Sequence, residues 1–295
     1  MRVFKRQIPE YKKLIDDHLI NILPGSNQSP KDLNQAMSYS VMAGGKRIRP
    51  LMMMATARTI GVKIEQIMPF ATAIELLHSF SLIHDDLPCM DDDSLRRGQP
   101  TTHIKFGEAT ATLAADALQS LAFELMTLAE FPIIKDSHLK LISMIAKSIG
   151  AVGMAGGQSL DLDSENKELD PQSVEHIYML KTGKLLQASI LAPTFFKKIK
   201  ENELLALEKF SRAIGIAFQI QDDLIEAEGD LETIGKSIES DKSKNKAAYP
   251  ILFGLDQSKE RVDTLYEDSR ESLSIFEGSA SPLMEMAEIV IKRKL

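Results

Sequence analysis

The chain has 295 residues, of which 44% are hydrophobic, so it can bury a large core. Its 35 basic and 42 acidic residues leave a formal charge of −7, which excludes a general affinity for nucleic acid or anionic membranes and is typical of a cytoplasmic protein. The single cysteine, Cys89, excludes an internal disulfide, and we expect it to be buried and without a catalytic role.

Apolar residues recur at steps of three and four along almost the whole chain, and no segment alternates in the manner of a strand. We also find no linker of low complexity. The pattern predicts an all-α fold, a large helical bundle that forms a single domain over residues 1–295. No apolar stretch approaches the roughly 20 residues of a membrane-spanning helix, so we expect no membrane insertion.

The predicted helices follow in chain order. One begins after Ser29 and Pro30, a cap and a first-turn proline, and ends before Gly44-Gly45. The next runs without an interior breaker from about Ile64 to Leu87 and ends at Pro88. Further helices are predicted near residues 107–130, 136–160, 171–196, 201–228, 246–275 and 281–295.

The first acidic cluster lies at the end of the predicted helix that precedes Pro88. It contains Asp85, Asp86 and Asp91. Crowded carboxylates favour hard cations, and Mg²⁺ usually takes one or two of them and completes its shell with water and phosphate oxygens. An isolated acidic run is more often a solvated loop. His78, however, precedes Asp85 by seven residues and therefore lies on nearly the same helical face.

A second acidic cluster repeats this arrangement on a later helix. Gln219, Asp222, Asp223 and Glu226 share one face. Two such helices that face each other would enclose metal ions, so the pair predicts a multi-metal phosphate site.

Basic and glycine-rich segments accompany the acidic clusters. The turn from Gly44 to Pro50 contains three cations and suits an anion, although alone it reads more readily as a surface turn. Arg96-Arg97 follows the first acidic cluster and fits either simple pairing with aspartate or diphosphate binding. Glycines at 156, 157 and 183 interrupt predicted helices, and at Gly183 we expect a kink that exposes Lys181 and backbone carbonyls.

These segments together resemble the trans-prenyltransferases, the polyprenyl diphosphate synthase family, and most closely its bacterial farnesyl diphosphate-forming branch. The matching segments are GGKRIRP (44–50), SLIHDDLPCMD (81–91), RRG (96–98), GGQ (156–158), KTG (181–183) and FQIQDD (218–223). They occur in the family's order and cover some three quarters of the chain. The resemblance implies the isoprenoid synthase fold, a bundle around a deep central cavity. It also implies a homodimer and about three Mg²⁺ ions, or Mn²⁺, that bind an allylic diphosphate.

The resemblance also implies a role for each matched residue. The metal ligands would be Asp85, Asp86, Asp91 and Asp222, supported by Asp223 and Glu226. The allylic diphosphate would contact Arg96, Lys181, Lys236 and Lys246. Isopentenyl diphosphate would contact Lys46, Arg49, His78 and Arg97. Thr182 and Gln219 would place oxygen dipoles near the developing carbocation, so Lys181, Thr182 and Gln219 form the implied catalytic group.

Product length is implied by the residues upstream of Asp85. In the resembling enzymes an aromatic residue at the position of Phe80 closes the chain pocket at fifteen carbons, whereas small residues there accompany longer products. Ser81 is small and Phe218 would help to wall the pocket. We therefore expect farnesyl diphosphate, with geranylgeranyl diphosphate as the alternative product.

One position departs from the family pattern, because Glu226 stands where the second motif normally ends in aspartate. We expect an altered metal affinity and not a loss of activity. A terpene cyclase and a noncatalytic regulatory subunit of a prenyl synthase are the remoter alternatives. His84-Asp85 also resembles part of a phosphohydrolase motif, and Glu75 with His78 half of a di-iron motif, but neither finds its remaining ligands at suggestive spacing.

Overall fold

The computed structural model describes residues 3–25, 29–129, 135–164, 167–233 and 248–292, except for the side chains of residues 135 and 230–233. Within these ranges the chain is almost entirely helical, and the one sheet is a two-residue antiparallel pair, β1 (Leu95–Arg96) with β2 (Gln99–Pro100). The predicted all-α class is confirmed.

The helices of this region share the spacing of apolar residues that the sequence shows. They are α1 (Val3–Ile22), α2 (Lys31–Met42), α3 (Ile48–Ile60), α4 (Ile64–Asp85), α5 (Thr102–Phe106), α6 (Glu108–Leu128), α7 (Lys135–Ile149), α8 (Met154–Asp163), α9 (Pro171–Tyr178), α10 (Lys184–Leu191), α11 (Glu201–Thr233), α12 (Tyr249–Phe253), α13 (Leu255–Ser272) and α14 (Ser281–Ile291).

Helix α4 is the central element, and it packs against α3 on one side and α6 on another. It is apolar on all sides, and Phe70, Ile74, Leu76 and Leu77 are fully buried. Burial of each such side chain contributes about 1.5–3 kcal/mol. The helix is therefore a rigid rod inside the core, and it delivers Asp85 to one end of the bundle.

Two stretches are long and apolar enough to span a membrane, Ile64–Asp85 and Asp136–Asp163, contrary to our expectation. In the first, 67% of the apolar window is buried inside the protein, as expected for a core helix. The second is broken, because α7 ends at Ile149 and α8 begins at Met154. A spanning helix must satisfy its backbone without interruption, which the second stretch does not do. Since the first stretch is mostly buried in the core, neither is a clear membrane span.

Several predicted boundaries differ from the structure, among them the helix predicted over 246–275, whose described part is divided at Gly254 into α12 and α13. Ser29 is not a cap, because Pro30 occupies the N-cap position of α2 and no side chain bonds to that end of the helix. Helix α4 ends at Asp85, not Leu87, since Pro88 disfavours helical geometry in the residue before it. The predicted helix 136–160 is two helices, separated at Gly150 and Gly153.

The predicted helix 171–196 is also divided, and the division lies at the expected kink. Residues Met179–Gly183 form a π-helical turn between α9 and α10, and Ala192–Phe195 form a 3-10 turn at the far end. Such single π turns occur frequently at functional sites. Helix α8 crosses this turn at Gly157, where a Cβ atom would lie 2.2 Å from the backbone nitrogen of Lys181. Only glycine permits the two backbones to approach this closely.

Candidate active site

The first acidic cluster is folded into a tight loop at the end of α4. The amide of Asp91 donates to the carbonyl of Asp85 at 2.9 Å, and the amide of Met90 donates to the carbonyl of Leu87 at 2.8 Å. Asp92, at φ 53°, occupies the left-handed region. The loop thus returns Asp91 to Asp85, which explains why the third carboxylate follows at a distance of six residues.

Burial raises the pKa of the Asp85 carboxyl to about 6. Lys181 opposes this rise and the neighbouring Asp91 adds to it. The surrounding positive charge is therefore insufficient to offset the loss of hydration. A carboxylate in this condition is suited to a cation.

Asp86 points to a different partner. The β1–β2 hairpin brings the Arg96 guanidinium to it, with Nε 2.7 Å from Oδ1. Burial raises the pKa of Asp86, and the hydrogen bonds from Arg96 oppose the rise. Of the two readings of the Arg96-Arg97 segment, the structure shows pairing with aspartate for Arg96. Cys89 lies in the same loop and is exposed, so the expectation of a buried thiol was wrong.

The second acidic cluster belongs to a hydrogen-bond network that joins α11 to the π turn. Thr182 Oγ1 donates to Gln219 Oε1 at 2.8 Å, and Gln219 Nε2 donates to Asp223 Oδ1 at 3.0 Å. The Tyr178 hydroxyl and the amide of Tyr249 also donate to Asp223. Burial nevertheless raises the pKa of Asp223 to about 6. Asp223 is thus held by protein donors, as a supporting residue would be.

Tyr178 was not identified from the sequence, although it precedes Lys181 by about one helical turn and could have been found on that ground. Asp161 was also missed. Its Oδ2 lies 2.6 Å from Lys181 Nζ, and this ion pair fixes the lysine beside Asp85. Gln158, one turn earlier on α8, has a buried amide for which the described part of the chain offers no hydrogen-bond partner.

A cationic cluster lies beside the acidic one. Arg49 is close enough to Glu75, Asp222 and Arg97 for each to affect its pKa, which burial lowers. The pKa of His78 falls well below its ordinary value because the ring is buried and because Arg49 and Arg97 are near. His78 is therefore neutral at pH 7. The structure brings together three of the four residues predicted for isopentenyl diphosphate.

The fourth, Lys46, is exposed, and its side chain makes no hydrogen bond or ion pair within the described ranges. Arg97 donates to the carbonyl of Gly44, and a Cβ atom on Gly45 would lie 2.9 Å from Arg97 Nη1. Gly45 also has φ +143°, which disfavours other residues. The glycine pair therefore provides both an acceptor and the space for the Arg97 guanidinium.

Arg47, between these residues in the chain, has a structural role. It is 4% exposed, with Nε 2.8 Å from Asp16, Nη1 2.7 Å from Glu75 and Nη2 2.9 Å from the carbonyl of Val41. Because each nitrogen of this buried guanidinium has an acceptor, Arg47 fixes the turn that carries Lys46 and Arg49.

The residues predicted to limit the product chain lie on α4 and α11. Phe80 is partly buried and packs edge-to-face on His84, with ring centroids 5.5 Å apart. Ser81 is buried and donates to the carbonyl of His78 at 2.9 Å. Phe218 packs against the core. Lys236 and Lys246 lie outside the described residues.

The donor set fits Mg²⁺ in the presence of a phosphate. Asp85 and Asp91 are adjacent, and Asp222 and Glu226 lie on the second cluster. In the described part of the chain, no three acidic, histidine or cysteine side chains are grouped closely enough to hold a metal ion. Mg²⁺ accepts one or two carboxylates and takes its other ligands from water and phosphate, so an open arrangement of this kind suits it.

Comparison with known proteins identifies the family. A family model described as polyprenyl synthetase matches residues 30–277. The chain belongs to the polyprenyl synthetase family. It is 42% identical to a farnesyl diphosphate synthase of Escherichia coli over 88% of each chain. It is 38% identical to a geranylgeranyl diphosphate synthase of Cyanophora paradoxa, over 96% of this chain and 94% of that protein.

A solved structure shares the fold. The apo structure of an FPP/GFPP synthase from Zymomonas mobilis superposes with a TM-score of 0.86, at 34% identity, over 99% of this chain and all of that one. Enzymes of the polyprenyl synthetase family generally depend on Mg²⁺. The family resemblance and the isoprenoid synthase fold expected from the sequence are thus confirmed.

Removal of the acidic partner of Arg47 should destabilise this family member. In Glu75→Ala a buried guanidinium loses one of its two carboxylates, which typically costs about 3–5 kcal/mol. Asp17→Ala removes the acid of the exposed Lys13–Asp17 pair and should leave the free energy of unfolding nearly unchanged. Urea unfolding measures both. Equal losses in the two variants would contradict a structural role for Arg47.

The raised pKa of Asp85 predicts competition between protons and Mg²⁺. The carboxyl must be ionised to bind metal, so at limiting Mg²⁺ the reaction rate should fall as the pH drops through about 6. At saturating Mg²⁺ the midpoint should move to lower pH. Asp92→Asn, an exposed carboxylate of the same loop, should leave the midpoint in place. A midpoint that does not respond to Mg²⁺ would refute the assignment of Asp85.

Proposed function

We propose that the chain is a magnesium-dependent farnesyl diphosphate synthase, a prenyltransferase that condenses isopentenyl diphosphate with dimethylallyl or geranyl diphosphate. The observation that carries the proposal is the junction of two acidic clusters with an arginine cluster at one end of the bundle. Lys181 lies near Asp85, and Arg49 lies near Asp222. Two diphosphates and their metal ions require this alternation of charge.

The allylic substrate is assigned to the acidic side. Asp85, Asp86 and Asp91 would hold two Mg²⁺ ions and Asp222 the third, and bound metal supplies charge neutralisation for the leaving diphosphate. Arg96 and Lys181 are paired with Asp86 and Asp161 respectively. We assign both to the diphosphate as well, as ready donors at the edge of the metal site. Lys236 and Lys246 are proposed as further contacts from the sequence alone.

Isopentenyl diphosphate is assigned to the arginine side. Arg49 and Arg97 present guanidinium donors, and the Nε of Arg49 is buried without a partner among the described residues. Neutral His78 can donate a hydrogen bond without adding charge to a cluster that is already positive. Lys46 would reach in from the surface.

The reaction begins as the carbon–oxygen bond of the allylic diphosphate breaks, which leaves an allylic cation. The alkene of isopentenyl diphosphate attacks this cation, and a proton then passes to the released diphosphate. Because the Thr182 hydroxyl donates its hydrogen bond to Gln219, the lone pairs of Oγ1 remain available to face positive charge. The apolar walls of α4 and α11 exclude the water that would quench the cation.

Phe80 is proposed to close the chain pocket at fifteen carbons. It is partly buried on α4, five residues before Asp85, and its ring packs edge-to-face on His84. The relatives include enzymes named for both C15 and C20 products, so family membership leaves the chain length open.

The product can be tested directly. With Mg²⁺, geranyl diphosphate and isopentenyl diphosphate, chromatography of the dephosphorylated products should show a C15 alcohol as the main species. Phe80→Ala should make C20 the main product because the truncation opens the pocket. Phe195→Ala removes a partly buried aromatic ring elsewhere and should retain C15. A wild-type C20 product would refute the role of Phe80, and no elongation would refute the enzyme.

This assay also separates the remaining candidate functions. A terpene cyclase would consume a prenyl diphosphate without isopentenyl diphosphate, and it has no need of the Arg49 and Arg97 side of the site. A regulatory subunit would show no turnover. The chain retains both acidic clusters and the basic turn, which favours a catalyst over a subunit of that kind.

The chain is further proposed to be a cytoplasmic homodimer that pairs through α6. Leu113 and Leu128 lie on one face of that helix and are 58% and 75% exposed, with the half-buried Ala117 and Leu121 between them. An exposed apolar stripe on a helix is typical of a surface that a second copy covers.

Charge on this stripe should separate the protomers. Leu113→Glu/Leu128→Glu should halve the mass that light scattering measures after gel filtration, because two carboxylates would be buried without partners. Leu14→Glu/Leu205→Glu alters exposed leucines of α1 and α11 and should leave the dimer intact. A wild-type monomer, or dissociation of both variants, would contradict pairing through α6.

A further inference from the structure

A cavity lies away from the acidic clusters, in the cleft between α7 and α10. Its volume is about 450 Å³, within the usual range for small-molecule sites. Met144, Ala188 and Leu191 form an apolar floor. None of the residues that line it belongs to the metal or diphosphate sites described above.

Three lysines converge on the opening of this cavity. Lys140 and Lys147 are seven residues apart and share one face of α7, while Lys184 stands opposite in the first turn of α10. Among the described residues, none of the three makes a hydrogen bond or ion pair with another side chain, and no carboxylate lines the cavity. In a chain with 42 acidic residues this local excess of positive charge marks a site for an anion.

The apolar floor restricts the kind of anion. Inorganic phosphate would meet the lysines but leave the floor in contact with water, whereas an apolar chain would cover it. Burial of that chain adds about 25 cal/mol per Å² to the binding energy. Gln187 Nε2 donates to Ser211 Oγ, and the Ser148 hydroxyl donates to the carbonyl of Ile145. The cavity therefore combines a cationic rim with a floor that has little demand for polar contacts.

We propose that this cleft binds a phosphorylated amphiphile, with its head on Lys140, Lys147 and Lys184 and its apolar tail on the floor. The site is independent of Mg²⁺ because it contains no carboxylate. It borders the active site through the chain, since Lys184 follows Lys181 by one helical turn. A soluble alkyl or prenyl phosphate and the head of a membrane phospholipid share this chemistry.

The test is calorimetric titration with dodecyl phosphate, below its micelle concentration and in EDTA, which suppresses metal-dependent binding at the active site. Wild-type protein should bind one equivalent per chain, and inorganic phosphate should bind at least about tenfold more weakly. Lys147→Gln/Lys184→Gln should lose about tenfold or more in affinity, because two charged hydrogen-bond donors are removed. Ser143→Trp, at the exposed rim, should block the cavity without burial of new polar groups.

The control is Lys198→Gln/Lys209→Gln, which removes the same charge from exposed lysines elsewhere and should bind as the wild type does. Sedimentation with phosphatidic acid vesicles distinguishes the sources. Lysine-dependent vesicle binding identifies a membrane lipid, and its absence, with dodecyl phosphate bound, identifies a soluble phosphate. The proposal is overturned if dodecyl phosphate does not bind, or if the lysine variant and the control bind equally. Neither result depends on prenyl transfer.

Discussion

The buried guanidinium of Arg47 is the contact on which the active-site end of the bundle depends. It joins Asp16 of α1, the last turn of α2 at Val41 and Glu75 of α4, and it directly precedes α3. A buried charge that lost these partners would be costly, so four elements are held in one arrangement. In the same turn, the carbonyl of Gly44 accepts a hydrogen bond from Arg97. Arg97 belongs to the β1–β2 hairpin, which places Arg96 beside Asp86. A structural ion pair thus positions the arginines that lie beside the acidic clusters.

In the remainder of the site, neighbouring side chains balance only some of the buried charges. Arg96 and Lys181 have carboxylate partners, whereas Asp85 has a raised pKa and Arg49 a lowered one. Both shifts mean that burial disfavours the ionised form of the group. Under the proposed function, metal ions and diphosphates would supply the charges that balance Asp85 and Arg49.

Much of this could be predicted from the sequence because it is local. Helix periodicity, Pro88 and the glycine of the KTG segment each act within a few residues. They located both acidic clusters and the kink at which the structure has a π turn. Tertiary partners could not be found in this way. Asp161 and Tyr178 acquire their roles only where α8 and α9 meet the site, and nothing local distinguishes the structural Arg47 from Arg49. Cys89 was assigned to the core by residue type, but the loop turns it outward.

The π turn at Met179–Gly183 has a consequence for the way this helical rod can change. It contains one residue more than an α-helical turn, so it shifts the phase of everything that follows by about 100°. Tyr178 just before the turn and Lys181 and Thr182 within it contact Asp223, Asp161 and Gln219 respectively, while downstream Leu185 and Leu186 pack in the core. Loss of a single residue here would rotate α10 by about 100° and move Leu185 and Leu186 away from the core. Residues of this segment can therefore be substituted, but its length is fixed. An insertion or deletion would change the angle between the side chains of the turn and the buried side chains of α10.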